Sequence, residues 1–339
     1  MFDFKFQTAR IRKTLQVPED FTLPFMQETS GHFDKTELFN RCLNNLRCLY
    51  APCELIKIYQ YTQKKYLINT LTWSEKYYKS GEVPILAYSL RSFIECTANY
   101  HSGINQIEAA FETQNSNEKH DEGWGQHLKT GLYDLILTLI SPTTIEIPNN
   151  KLPANSFDPK NLESKMDEAI EVLGQYKKPE LNNNQTLANT KSSLLRPVNV
   201  LTNLKKLEKA VDGIHPAYDL LSEALHPNSF PIMSQINVLN DFKDLSKPTV
   251  TWRFKDQVST TPEFYNLENI PNVINACVDT VLRKDKILPT LNKKLRSEIK
   301  VHVRPVVDEL LSIGIPEHDT RDCFCGSGKL LKKCCARER

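Results

Sequence analysis

Two closely spaced pairs of cysteines at the carboxyl end constrain the fold of this chain more than any other sequence feature. Four of the nine cysteines lie in the last nineteen residues, in the spacing C-x-C, eight residues, then C-C. Gly326 and Gly328 allow the chain to reverse after the first pair, because glycine adopts positive φ at little cost. A short helical turn from Leu330 to Lys333 would then present the second pair. Such an arrangement suits one tetrahedral metal ion. The predicted ligands are the thiolates of Cys323, Cys325, Cys334 and Cys335.

The same segment resembles the SEC-C motif, the zinc-binding tail of bacterial translocase ATPases that also ends many unrelated bacterial proteins. The resemblance covers residues 322–336 and includes the cysteine spacing, the CGSGK run of Cys325–Lys329 and the basic pair Lys332–Lys333. It departs from the motif at Phe324, where proline is usual, and at Leu330–Leu331, where a basic-aromatic pair is common. Neither departure is at a ligand position. The resemblance implies a structural Zn²⁺ ion. A disulfide pair and a chance cluster of thiols are the alternatives.

The rest of the chain is predicted to be mainly α-helical. Leu38, Cys42, Leu46 and Leu49 follow helical spacing, and a second helix is predicted from 53 to 71 after Pro52. With only 11 glycines, the chain contains no GxGxxG motif, which argues against a nucleotide-binding α/β fold. The GSGK run does not meet the Walker pattern either. We therefore expect a multi-helix bundle with a small β-hairpin and a C-terminal zinc knuckle.

Several segments carry more specific expectations about architecture. Residues 1–35 contain short alternating runs and are expected to form an edge strand or to wrap the core. Helices are predicted at 84–100 and 103–112, and a long helical stretch at 262–296 with an interruption at Pro289. The buried stripe of the first of these helices is expected to comprise Leu86, Leu90, Phe93, Ile94 and Thr97. The runs FPIMSQINVL and PTVTWRF within 230–258 favour a hairpin. We predict a helical body at 1–313, with a hinge near 177–193, and a linker with the zinc knuckle at 314–339.

Composition and charge exclude some classes of protein. Hydrophobic residues make up 40% and charged residues 25% of the chain, and the net charge is +2, so there is no global basic signal for nucleic acid. The tail from Arg321 onward is locally basic and suits an acidic partner, either a protein or a nucleic acid. No apolar run is long enough for a membrane helix, and the first residues lack the features of a signal peptide. These observations predict a cytoplasmic protein.

Two polar stripes at helical spacing are the candidates for chemistry in the body. One helix offers a hydroxyl, a guanidinium and a carboxylate, and a distant one offers two hydroxyls and an imidazole. If both helices pack in one bundle, an imidazole could take a proton from an RNA 2′-hydroxyl while a guanidinium holds the phosphate. The stripes are Tyr88, Arg91 and Glu95, and Tyr218, Ser222 and His226.

These helices resemble parts of the HEPN-like bundles of prokaryotic defence and abortive-infection proteins. The residues that carry the resemblance are Leu86–Tyr100 and Tyr218–Ser229. It implies a defence role, a homodimer and a metal-independent endoribonuclease. Active members usually carry Arg and His on one helix with four to six residues between them. The pair Arg91 and His101 has nine between, whereas Arg296 and His302 fit with five, a spacing that chance alone produces about once here.

Two functions therefore follow from the sequence. The first is a zinc-binding protein whose tail docks a protein or nucleic-acid partner onto a HEPN-like helical body. The alternative is a metal-independent endoribonuclease that the tail regulates or targets, with Arg91, Glu95 and His226 as its catalytic residues. A simpler interpretation of Arg91 and Glu95 is an intrahelical ion pair, because they are four residues apart.

Overall fold

The fold is mainly α-helical, as predicted. A computed structural model describes residues 4–19, 46–116, 124–140, 164–171, 199–225, 236–241, 249–254 and 269–312, and residues 323, 325, 327, 329, 330, 333 and 334 of the tail. A π-helical turn, Leu128–Tyr133, lies between the helices Trp124–His127 and Asp134–Ile140. The helices are α1 Phe4–Thr14, α2 Ala51–Ser80, α3 Val83–Ser116, α4 Trp124–His127, α5 Asp134–Ile140, α6 at 164–171, α7 Val200–Glu208, α8 Ile214–Glu223, α9 Ile270–Lys284 and α10 Ile287–Ser312. None of these described helices is long and apolar enough to cross a membrane.

Contacts between residues divide the chain into two compact units. The first comprises Met1–Val17, Tyr61–Ile104 and Val198–Lys286, and the second comprises Pro18–Gln60, Asn105–Pro197 and Ile287–Arg339. Helices α2 and α3 contribute residues to both units. The predicted hinge near 177–193 lies outside the described residues.

The expectation of an edge strand at the N-terminus is wrong for residues 4–14, which form α1. Short alternating runs within residues 1–35 suggested the strand, but Phe4 and Phe6 lie on different faces of this helix. Phe4 is buried and packs against Tyr78 with ring centroids 5.0 Å apart, whereas Phe6 is 60% exposed. Ile11, two helical turns after Phe4, continues the buried face. The buried side chains of residues 4–14 therefore follow the 3.6-residue period of a helix and not the two-residue period of a strand.

Helix α3 carries the buried stripe that the sequence predicted. The side chains of Leu86, Leu90, Phe93, Ile94 and Thr97 are all buried. The helix is longer than predicted, because the two segments expected at 84–100 and 103–112 form one continuous element through Gly103. In the first unit, α3 packs along α2, where the hydroxyl of Ser74 donates to that of Ser89 at 3.0 Å.

Pro52 and Pro289 each lie near the start of a described helix. Pro52 is the second residue of α2, and Pro289 is the third residue of α10. Both positions are in the first turn, where the missing N–H has no intrahelical partner to lose. The stretch predicted as helical at 262–296 is instead interrupted between Lys284 and Ile287.

The predicted hairpin is present. Strands β1 Ile236–Asp241 and β2 Thr249–Phe254 pair antiparallel, and Ile236 lies opposite Phe254 in the register.

Candidate metal centre and helical polar cluster

Three of the four predicted metal ligands come together in the tail. The sulfur atoms of Cys323, Cys325 and Cys334 all lie within 4.8 Å of one another. Cys323 is buried, and the other two are partly exposed. Cys335, the fourth predicted ligand, lies outside the described residues. This cluster could hold a metal ion.

Local backbone hydrogen bonds build the cluster. The N–H of Cys323 donates to the carbonyl of Lys329 at 2.7 Å, which closes the chain reversal between the two cysteine pairs. The N–H of Lys333 donates to the carbonyl of Leu330 at 2.9 Å, which confirms a tight turn just before the second pair. The hydroxyl of Ser327 lies 3.2 Å from the sulfur of Cys334, where it can donate to a thiolate. Because the cysteines are close in sequence, two local backbone hydrogen bonds help to bring their sulfur atoms together.

The sulfur separations fit metal coordination better than a disulfide. Cys325 Sγ and Cys334 Sγ are 3.6 Å apart. A tetrahedral zinc site with Zn–S bonds of about 2.3 Å places its sulfurs about 3.8 Å apart. A disulfide requires about 2.05 Å. The described cysteines are all free thiols, so the disulfide alternative does not describe this geometry.

The remaining described thiols are unsuited to metal binding. Burial raises the pKa of Cys48 to about 11 and the pKa of Cys53 and Cys277 to about 12, and it also raises the pKa of Cys96. A buried thiol that stays protonated is a packing group, because the thiolate is the form that binds metal. These four cysteines of the helical body therefore serve as packing groups.

Arg296 of α10 joins the cysteine cluster to the helices of the second unit. Its Nη1 donates to the carbonyl oxygen of Cys325 at 2.5 Å, and its Nη2 pairs with the carboxylate of Glu54 on α2. The guanidinium also lies over the ring of Tyr50, 6.0 Å from its centroid. Sequence reasoning did not find Arg296 and Glu54 as parts of this centre, because 242 residues separate them.

The two predicted polar stripes meet in the first unit. The Nε of Arg91 donates to Glu95 Oε1 at 3.0 Å and to the hydroxyl of Tyr218 at 3.2 Å. The Tyr218 hydroxyl donates in turn to the same Glu95 oxygen at 2.7 Å. The simpler interpretation of Arg91 and Glu95 as an intrahelical ion pair is therefore correct as geometry, but the pair also binds a side chain 123 residues away.

Burial and charge both act on this cluster. Burial by itself lowers the pKa of Arg91, but the hydrogen bonds and charges of Tyr218 and Glu95 outweigh it and raise the pKa overall. Burial raises the pKa of Tyr218, and the neighbouring Glu95 raises it further. Arg91 therefore stays cationic and Tyr218 stays a neutral hydroxyl at ordinary pH.

The hydrogen bonds that join Arg91, Glu95 and Tyr218 do not include the other members of the two stripes among the described contacts. Ser222 donates its hydroxyl to the carbonyl of Tyr218 at 2.8 Å, and Tyr88 is 54% exposed. His226, the predicted catalytic imidazole, lies outside the described residues. Arg296 and His302, the pair that fits the HEPN spacing, contact different residues. Arg296 binds Glu54, and the imidazole of His302 stacks on Trp124 with ring centroids 4.0 Å apart.

Comparison with protein-family models, with curated proteins and with solved structures finds no match to this chain. The resemblances to the SEC-C motif and to HEPN-like bundles therefore stay predictions.

Proposed function

We propose that the tail is a structural Zn²⁺ knuckle that docks a protein or nucleic-acid partner onto the helical body. The observation that carries this proposal is the convergence of the Cys323, Cys325 and Cys334 sulfurs at separations suited to one tetrahedral ion. Cys335 would complete a four-thiolate set. Zinc is the metal of choice for such a set, because soft thiolates in tetrahedral geometry favour it over magnesium or calcium. A closed set of four protein ligands is typical of a structural site rather than a catalytic one.

Docking is supported by what surrounds the ligands. Four thiolates and one Zn²⁺ carry a formal charge of −2, which the basic residues of the tail offset. The tail therefore combines the metal site with an excess of cationic residues, of which Lys329 and Lys333 are exposed. The resemblance to the SEC-C motif suggests the same role, and the resemblance of the body to HEPN-like bundles suggests prokaryotic defence as its setting.

The docking role predicts that partner recovery depends on the metal-bound tail. Full-length protein, a variant lacking residues 315–339 and the Cys334→Ser variant would each be immobilised and exposed to a cell extract, with and without nuclease. We expect a partner to be recovered at least tenfold less by both variants. Loss of that partner after nuclease treatment would identify a nucleic acid, and its persistence would identify a protein. Equal recovery by all three proteins would contradict the docking role.

The alternative function, a metal-independent endoribonuclease, is favoured by the hydrogen-bonded cluster of Arg91, Glu95 and Tyr218. Its guanidinium is about a third exposed and is held in place by a neighbouring helix. In this role Arg91 would bind the scissile phosphate, His226 would move the 2′-hydroxyl proton, and Glu95 would orient Arg91.

This alternative predicts cleavage of single-stranded RNA in the presence of a chelator. We expect Arg91→Ala and His226→Ala to lower the cleavage rate by at least a hundredfold, in line with loss of an acid–base or charge-stabilising group. Arg304→Ala is the matched control, because Arg304 forms a similar i,i+4 pair with Asp308 at 3.0 Å. Absence of cleavage by the wild-type protein, or equal rates in all variants, would eliminate this function.

A further inference from the structure

Arg296 lies between the cysteine cluster and a buried carboxylate. The side chain of Glu54 is only 2% exposed, and that of Arg296 is 24% exposed. A carboxylate so deeply buried needs charged partners, because removing it from water without them is costly. Lys57, one turn along the same helix, supplies one of them at 3.1 Å. Arg296 supplies the other, from α10.

The helices fix the position of Arg296 independently of the tail. One turn before it on α10, Asn292 donates its Nδ2 to the carbonyl of Cys53 at 2.8 Å, and this bond is buried. Glu54 is the next residue of α2. Two neighbouring contacts therefore hold α10 against α2 at this level. The guanidinium has a planar fork of donors, so one edge can bind Glu54 while another donor reaches a carbonyl.

We propose that Arg296 is a positioning residue of the metal site. Set in place by Glu54, it holds the Cys325 carbonyl at 2.5 Å and so fixes the peptide from which the Cys325 thiolate reaches the metal. Outer contacts of this kind orient metal ligands and raise affinity. The cationic guanidinium also offsets part of the negative charge of the metal–thiolate centre. This inference rests on the proposed zinc knuckle and explains how the tail is attached to helices α2 and α10.

The proposal has a reciprocal consequence. If Arg296 strengthens metal binding, then metal binding must strengthen the contact of Arg296 with the tail by the same factor. Removal of the metal would loosen the tail and withdraw one partner from the α2–α10 contact. The α2–α10 contact would thereby respond to whether the knuckle holds its metal.

The test measures how fast zinc leaves the full-length, zinc-loaded protein when a coloured chelator is added in excess. Arg296→Lys keeps a cation beside Glu54, but one ammonium does not reproduce the forked contact with a carboxylate and a carbonyl. We expect zinc release to be about 10- to 100-fold faster in this variant, the usual effect of losing such an outer contact. Glu54→Gln should change the rate much less, because its amide oxygen still accepts from Arg296.

Arg304→Lys is the matched control, since Arg304 lies two turns further along α10 and pairs with Asp308 instead. A second readout is the shift in Tm on chelation, which should be smaller in Arg296→Lys than in the wild type. Zinc release at the wild-type rate together with an unchanged Tm shift would overturn the role of Arg296. If the wild-type protein retains no zinc, the knuckle itself is wrong, so the two failures are distinguishable.

Discussion

Replacing Cys325 with serine should remove nearly all of the tightly held metal from this protein. Binding of structural zinc to four thiolates contributes about 10–16 kcal/mol, so the loss of one ligand costs about 3 kcal/mol, or roughly a hundredfold in affinity. A serine hydroxyl stays protonated near neutral pH and does not replace a thiolate. Zinc content after dialysis, measured by mass spectrometry, should fall from one ion per chain to well below one.

The matched control is Cys48→Ala. Cys48 is buried in the second unit, and burial raises the pKa of its thiol to about 11, so it should not bind metal. This variant should keep one zinc ion per chain. If both variants keep their zinc, or if both lose it, the metal is not held by the tail cysteines.

Replacing Lys64 with methionine should destabilise the first unit by about 3–5 kcal/mol, because it removes one partner of a buried ion pair. Lys64 Nζ lies 2.9 Å from Asp285 Oδ2, and the two side chains are only 8% and 12% exposed. Tyr100 donates its hydroxyl to the other Asp285 oxygen at 2.7 Å, but a neutral hydroxyl does not balance the charge. Urea unfolding followed by circular dichroism would measure the change as a shift of the transition of the first unit.

Two further variants separate this effect from general damage to α2. Lys79→Met removes a pair with Glu75 in which the lysine is 62% exposed, and such exposed pairs contribute less than about 1 kcal/mol. The double variant Lys64→Met with Asp285→Asn should recover part of the lost stability, because neither charge of the pair remains buried. A loss no larger for Lys64→Met than for Lys79→Met would show that the buried pair contributes little.

The convergence of Cys323, Cys325 and Cys334 was predictable because the spacings that define it are local. The reversal between Cys323 and Lys329 and the turn between Leu330 and Lys333 need only a few residues each. These two backbone hydrogen bonds and the contact of Ser327 with Cys334 all lie within one short segment. The contacts that attach this segment to the helices join residues that are distant in sequence. Arg296 gave no sign in the sequence that it would bind Glu54, because that pairing depends on how α2 and α10 pack.

The helical body was predictable in type but less so in its boundaries. Hydrophobic spacing located the buried face of α3, but it did not show that the helix continues through Gly103. At the N-terminus, short alternating runs allowed an edge strand, but residues 4–14 form a helix that buries Phe4 and Ile11. The meeting of Arg91 and Tyr218 was only a conditional prediction, since it required two helices distant in sequence to pack together.

The most direct test of the central claim is native mass spectrometry of the full-length chain, purified without a histidine tag and under reducing conditions. The zinc knuckle predicts a mass that corresponds to one Zn²⁺ per chain, with the ion lost on acidification as the thiolates are protonated. A chain without metal would contradict it.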